Sequence, residues 1–123
     1  MGELYYKDLS YEVVGLAFEV FNNLGYGYRE KLYHRGYEEE LINKKLGYKR
    51  EVPIVLRYKD KIIGKYFIDF VVENKIVIEF KVANDFYTRD IKQLISYLKA
   101  TGMKLGILII FTKDGVKYRR FVN

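Results

Sequence analysis

The sequence predicts an α/β protein in which helices pack against a mixed β-sheet. Apolar residues recur every three or four positions up to about residue 46, which is the period of a helix. From residue 48 the pattern changes to apolar runs separated by polar turns, which is typical of strands, and one further helical segment interrupts them. The resulting order is α-α-β-β-β-α-β-β. The chain of 123 residues has the length of one domain, so we expect a single domain over residues 1–123.

The first and third helices have the clearest apolar stripes. The first is predicted over residues 10–24, and the two glycines of LGYGY end it. The third is predicted over residues 88–101 and closes at Gly102. Each of these helices therefore has one face that can pack on the sheet.

The second helix is predicted over residues 28–46, with Gly47 as its C-terminal signal. Its inward stripe consists of Glu30, Tyr33, Tyr37 and Leu41. An acid in a first helical turn is stabilised by the helix dipole, so the spacing leaves Glu30 open between a capping role and a role in a site. His34 falls on the polar face among charged residues, and we interpret it as a surface residue without a role.

Five strands follow from the apolar runs and the turns between them. The polar turns KDK and ENK separate the first three strands, and Asp114-Gly115 is a strong hairpin signal between the last two. The fourth strand, KLGILIIF, is almost continuously apolar, which indicates burial on both faces. The predicted strands span residues 48–58, 62–72, 76–83, 104–111 and 116–122.

The composition narrows the possible functions. Lysine and arginine total 22 against 16 acidic residues, and residues 84–123 carry +5 of the net charge of +6. A basic surface suits nucleic acid, although many proteins are mildly basic for solubility. The chain has no cysteine, which excludes thiol catalysis and cysteine-ligated zinc. No charged leader precedes an apolar run, so we expect a cytoplasmic protein without a membrane partner.

Two charges interrupt the apolar run KIVIEFKV at residues 75–82. Side chains alternate along a strand, so Glu79 and Lys81 share a face. The preceding strand also carries an acid, Asp69, between apolar neighbours. If ENK is a three-residue turn, Val72 pairs with Ile76 and Asp69 lies opposite Glu79, whereas a two-residue turn would place Asp69 on the wrong face.

Opposed carboxylates repel each other, and a divalent cation between them removes that repulsion. Carboxylate oxygens suit Mg²⁺ or Mn²⁺, and a nearby lysine can neutralise charge on a phosphoryl group. These residues could hydrolyse a phosphodiester. The alternative is that Asp69 lies at a sheet edge and that Glu79 and Lys81 form an ordinary solvated pair.

The joint pattern resembles a known nuclease signature. Asp69, followed after a short gap by Glu79-x-Lys81, looks like the PD-(D/E)xK signature, and Gln93-x-x-x-Tyr97 looks like the motif of its RecB-like branch. The chain departs from the named signature at Ile68, which replaces the proline. Phe21 and Asp90 stand where relatives often have histidines, which puts in doubt any contact that those histidines make.

The upstream segment GYREKLY resembles the GxxExxY signature of a family of small proteins in the same superfamily, through Gly27, Glu30 and Tyr33. The similarity continues through AFEVFNNLGYG, YLKATG and DGVKYRR, so it covers nearly the entire chain. The resemblance implies a restriction-endonuclease-like core with a mixed sheet flanked by helices.

The resemblance also implies a role for each site residue. Asp69 and Glu79 would bind Mg²⁺ with the Phe80 carbonyl, with Mn²⁺ as a substitute, and Glu30 would bind directly or through water. Lys81 would be the catalytic lysine. Gln93 would position Lys81 or the scissile phosphate, and Tyr97 and Tyr33 would support the site.

These roles imply a metal-dependent nuclease that cleaves DNA through a metal-activated water. The residues that we expect to bind the phosphate backbone are Arg89, Lys92, Lys113, Lys117, Arg119 and Arg120. Two alternatives stay open at this point. One is a non-catalytic nucleic-acid-binding or accessory module with the same fold, and the other is a homodimer of the Holliday-junction-resolvase type.

Overall fold

The computed structural model describes residues 5–123 and confirms the predicted order of elements. The helices are α1 (Lys7–Leu24), α2 (Glu30–Asn43) and α3 (Thr88–Thr101). The strands are β1 (Tyr48–Tyr58), β2 (Lys61–Val72), β3 (Ile76–Val82), β4 (Leu105–Thr112) and β5 (Gly115–Val122). Within residues 5–123, no helix combines the length and apolar character needed to span a bilayer.

The five strands form one mixed sheet in the order β1-β2-β3-β4-β5. Neighbouring strands are antiparallel except β3 and β4, which run parallel because α3 connects them as a crossover. The predicted mixed sheet flanked by helices is therefore confirmed.

Each face of the sheet has its own core. Helices α1 and α2 cover one face, where the fully buried rings of Tyr33, Tyr37 and Phe80 pack together. Helix α3 covers the other face. It lies close to β4 because Gly106 has no side chain, and a Cβ there would approach Leu94 to 2.9 Å.

Helix α2 ends earlier than predicted. It stops at Asn43 rather than at residue 46, because Lys45 takes a left-handed backbone conformation with φ of 57°. Gly47 does not cap the helix. Its backbone N–H donates to the Glu73 carboxylate, and its carbonyl accepts the Glu73 N–H, so it holds the β2–β3 turn instead.

The β2–β3 hairpin has the predicted register. The turn has three residues, and Val72 pairs with Ile76. Pairing continues to Phe70 and Ile78 and then stops. Asp69 and Glu79 are the next positions in this register, just beyond the last backbone pair.

The first hairpin extends well past that point. Strands β1 and β2 pair with each other from Tyr48–Val72 to Tyr58–Lys61, whereas β3 pairs with only the last three residues of β2. Residues 53–67 therefore form a two-stranded extension, which we call the ribbon arm.

Candidate active site

Just beyond the end of the β2–β3 backbone ladder, the side chains of Asp69 and Glu79 accept backbone hydrogen bonds across the two strands. The Asp69 N–H donates to Glu79 Oε2 at 2.7 Å, and the Phe80 N–H donates to Asp69 Oδ2 at 2.8 Å. Each carboxylate thus satisfies a backbone donor of the opposite strand. The two strands separate here without leaving these N–H groups unpaired.

A local distortion of β2 gives Asp69 its position. Ile68 packs on the α3 side of the sheet, but Phe70, two residues later, packs on the α2 side, so the alternation of side chains breaks at Asp69. On the neighbouring strand, the pairing passes from Arg50 to Val52 and leaves out Glu51, which has φ of 51°. This irregularity places Asp69 between the two faces, within reach of both β3 and α2.

Burial raises the pKa of both carboxylates. Glu79 is 3% exposed, and this burial, followed by the charge of Asp69, raises its pKa to about 9. Burial also raises the pKa of Asp69, against the opposing effects of His34 and the Phe80 N–H. The ionised pair is therefore poorly stabilised by the protein alone.

Helix α2 contributes a histidine that the sequence reasoning missed. His34 Nε2 lies 3.5 Å from Glu30 Oε2 and 3.5 Å from Asp69 Oδ2, and only 12% of its side chain is exposed. The interpretation of His34 as a surface residue is wrong, because α2 packs against Phe70 and Phe80 and turns this helical face inward. The available signal was its spacing of four residues from Glu30, which puts the two side chains on one face.

The geometry of this group fits a cation. Single donor atoms of Glu30, His34 and Asp69 all lie within 4.8 Å of one another. Among the described residues, His34 Nε2 is one of two buried side-chain nitrogens without a hydrogen-bond partner. An unpartnered imidazole nitrogen and clustered carboxylates are a donor set that suits a divalent metal ion.

On the α3 side, Lys81 has an acidic neighbour. Its Nζ lies 4.0 Å from Asp90 Oδ1, at the start of α3. Tyr97 is 2% exposed, and burial, followed by the charges of Glu79 and Asp69, raises its pKa. Gln93 is partly buried one turn before Tyr97 on the same helix.

Tyr33 is fully buried on the inward face of α2. Its hydroxyl donates to the Gly25 carbonyl at 2.6 Å, and its ring stacks on Phe111 with a centroid separation of 4.3 Å. This contact fixes the loop that leads into Glu30. Phe21 belongs to the same cluster, with its ring stacked against Phe111.

Five of the six basic residues predicted to contact phosphate are exposed: Arg89, Lys92, Lys113, Lys117 and Arg119. Arg119 lies over the rings of Phe86 and Phe121. Arg120 differs, because its guanidinium donates to Ser10 Oγ and to the Tyr5 carbonyl. This guanidinium ties β5 to α1 within the fold.

A family model described as the PD-(D/E)XK nuclease superfamily matches residues 7–121. The chain belongs to this superfamily, which confirms the family prediction and supports a nuclease function. The narrower assignments to GxxExxY proteins and to the RecB-like branch stay predictions. A search of curated proteins finds no match.

Two solved structures share the fold. SSO0001 is 22% identical with a TM-score of 0.61, and the match covers 96% of this chain but only 57% of SSO0001. An alkaline exonuclease from Laribacter hongkongensis, LHK-Exo, is 12% identical with a TM-score of 0.55, and the match covers 100% of this chain and 72% of that enzyme. At these identities the likeness shows a common restriction-endonuclease-like architecture.

Proposed function

We propose that this protein is a divalent-cation-dependent nuclease that hydrolyses phosphodiester bonds in DNA. The observation that carries the proposal is the pair of a partly buried Asp69 and a buried Glu79, whose carboxylates bridge two separating strands, with Lys81 on the same face as Glu79. Two ionised carboxylates in such a place are destabilising unless a cation compensates them.

Asp69 and Glu79 would hold Mg²⁺, with Mn²⁺ as a substitute and the Phe80 carbonyl as a further ligand. Glu30 and His34 would bind the same ion or a second ion that shares Asp69. When bound, such a cation supplies charge neutralisation and a water nucleophile of lowered pKa.

Lys81 would neutralise charge that develops on the phosphate. The Asp90 carboxylate, 4.0 Å from the ammonium nitrogen, would help to orient it. Gln93, partly buried on α3, would orient Lys81 or the phosphate. The buried ring of Tyr97 would exclude water behind the carboxylates.

The test is cleavage of duplex, single-stranded and branched DNA with Mg²⁺ or Mn²⁺. We expect Asp69→Ala and Lys81→Ala to lose cleavage by about 1,000-fold, since each removes charge stabilisation from the reaction. Glu39→Ala changes an exposed acid on α2 and should cleave like the wild type. Equal activity in all four proteins would overturn the mechanism.

Four further points of the proposal have separate tests. A matched RNA substrate tests the preference for DNA, and fractionation of cells tests the cytoplasmic location. A resolvase-type homodimer predicts twice the monomer mass of 14.7 kDa by light scattering. Calorimetric titration with Mn²⁺ separates the nuclease from a non-catalytic binding module, because such a module has no need of the ion.

A further inference from the structure

The ribbon arm exposes an unusual amount of apolar surface. Six large apolar or aromatic side chains within these 15 residues are between 39% and 65% exposed: Val55, Tyr58, Ile62, Ile63, Tyr66 and Phe67. An exposed apolar group of this kind normally marks a surface that binds something.

The charge of the arm indicates the kind of partner. Residues 53–67 contain four basic residues and one acid, Asp60, which gives a net charge of +3. The cations lie next to the rings, with Lys65 Nζ 5.4 Å from the centroid of Phe67 and Lys59 Nζ 5.5 Å from that of Tyr58. Cations beside exposed rings form the surface on which single-stranded nucleic acid binds, through phosphate contacts and base stacking.

The arm also leads directly to the candidate active site. Phe67 lies two residues before Asp69 on β2, a separation of about 7 Å along a strand. Ile68 packs on the α3 side, so Phe67 and Lys65 face the opposite side, where α2 brings Glu30 and His34 to Asp69. The ring of Phe67 is 52% exposed on this side.

A second copy of the chain fits this surface less well. Isologous pairing of two arms would bring a net charge of +3 against another +3, and like charges at close range oppose association. A polyanion instead neutralises these charges and releases counterions.

We propose that the ribbon arm binds a single-stranded segment of the nucleic-acid substrate, with a base stacked on Phe67 and phosphates contacted by Lys65 and Arg57. The inference rests on the proposed function, since the arm would present the adjacent phosphodiester to Asp69. It adds a binding surface outside the basic C-terminal third of the chain.

The experiment measures binding without cleavage. Fluorescence anisotropy of a labelled 20-nucleotide thymidine strand, in EDTA at low salt, compares the full chain with Phe67→Ala, Phe67→Tyr and the double variant Arg57→Gln/Lys65→Gln. We expect Phe67→Ala to weaken binding about tenfold and Phe67→Tyr to bind like the wild type, because tyrosine retains a stacking ring. The double variant should lower the slope of log affinity against log salt by about 1.4.

Matched controls lie away from the arm. Tyr11→Ala removes an aromatic ring that is 84% exposed on α1, and Lys7→Gln/Lys44→Gln removes two exposed charges. Both controls should bind within about twofold of the wild type. If the control variants lose as much binding as the arm variants do, the inference is overturned, because the interaction is then non-specific.

Three other results would also overturn it: no binding by the wild type, no effect of the arm variants, or a change in oligomeric state caused by Phe67→Ala. Asp69→Ala separates this inference from the proposed function. If Asp69→Ala abolishes cleavage while the arm variants bind normally, the arm proposal fails and the nuclease proposal stands. If the arm variants lose binding while Asp69→Ala still cleaves, the proposed nuclease mechanism fails and the arm proposal stands.

Discussion

The two ends of the β2–β3 pair use the same two strands for different purposes. Near the turn, Val72 pairs with Ile76 in a regular backbone ladder, and both side chains are fully buried. At the other end the ladder stops, and the carboxylates of Asp69 and Glu79 accept the N–H groups that the partner strand would otherwise bond. The apolar end holds the strands in place, and the polar end holds the carboxylates in place.

The two ends together allow a small protein to hold two carboxylates at a position where their burial is unfavourable. The site carboxylates are also structural, because they satisfy backbone donors where the strands diverge. The regular ladder beside them limits how far the strands can move. Substitutions at the polar end should therefore lower the cleavage rate, whereas substitutions at the apolar end should lower the free energy of unfolding.

The largest expected effect is at the polar end. Glu79→Gln should lower cleavage by about 1,000-fold, equivalent to about 4 kcal/mol, because the neutral amide is a poor ligand for a divalent cation. The measurement is the single-turnover cleavage rate at saturating Mn²⁺, with Glu39→Gln as the exposed control. A loss below tenfold would show that Glu79 is a structural acid only.

At the apolar end, Ile76→Ala should lower the free energy of unfolding by about 3 kcal/mol, because it leaves a cavity at a fully buried position. Urea unfolding in the presence of Mg²⁺ measures this change. Ile62→Ala, at a position 59% exposed on the ribbon arm, should change it by less than about 0.5 kcal/mol. Similar values for both variants would contradict the assigned core.

The pH dependence of the free energy of unfolding is a further test of the polar end. In the folded, metal-free protein the pKa of Glu79 is raised to about 9, whereas an unfolded glutamate titrates near its ordinary value of 4.5. Between these values the folded state binds one more proton, so stability falls as pH rises, by about 1 kcal/mol per pH unit. Unfolding in EDTA measures this, and Glu79→Gln should remove most of the slope. A wild-type slope of the opposite sign would contradict the burial of Glu79.

The smallest expected effect concerns His34. An imidazole nitrogen is a better ligand for transition metals than for Mg²⁺. We therefore expect His34→Gln to weaken Mn²⁺ binding about tenfold, about 1.4 kcal/mol, and Mg²⁺ binding less. Calorimetric titration with each ion tests this, and Arg35→Gln is the exposed control on the same helix. An equal loss for both ions would indicate a purely electrostatic role.

Much of the fold could be predicted because its signals are local. Strand alternation put Glu79 and Lys81 on one face, and the three-residue turn set the register that brings Asp69 next to Glu79. The order of elements, the mixed sheet and the superfamily followed from patterns that a single sequence displays. The end of α2 did not, because the left-handed turn at Lys45 forms against the β2–β3 hairpin.

The errors at the site have a common cause. His34 was assigned to the surface from the polarity of its helical neighbours, but whether a helical face is buried depends on where the helix lies on the sheet. From the sequence, Asp90 was noted only for standing at a position where a histidine was expected, although its carboxylate lies 4.0 Å from the Lys81 ammonium. The His34–Asp69 and Lys81–Asp90 contacts each join two separate elements, so spacing along the chain does not give them.

The architecture, the register of the central hairpin and the carboxylates and lysine that carry the superfamily resemblance can be read from the sequence, because periodicity and turn length act over a few residues. The residues that join them depend on tertiary packing. Packing of α2 brings His34 to Asp69, the broken alternation at Asp69 turns its carboxylate toward both β3 and α2, and the shortness of β3 leaves the ribbon arm exposed. These features depend on how separate elements meet in space, and distances between elements are not a local property of the chain.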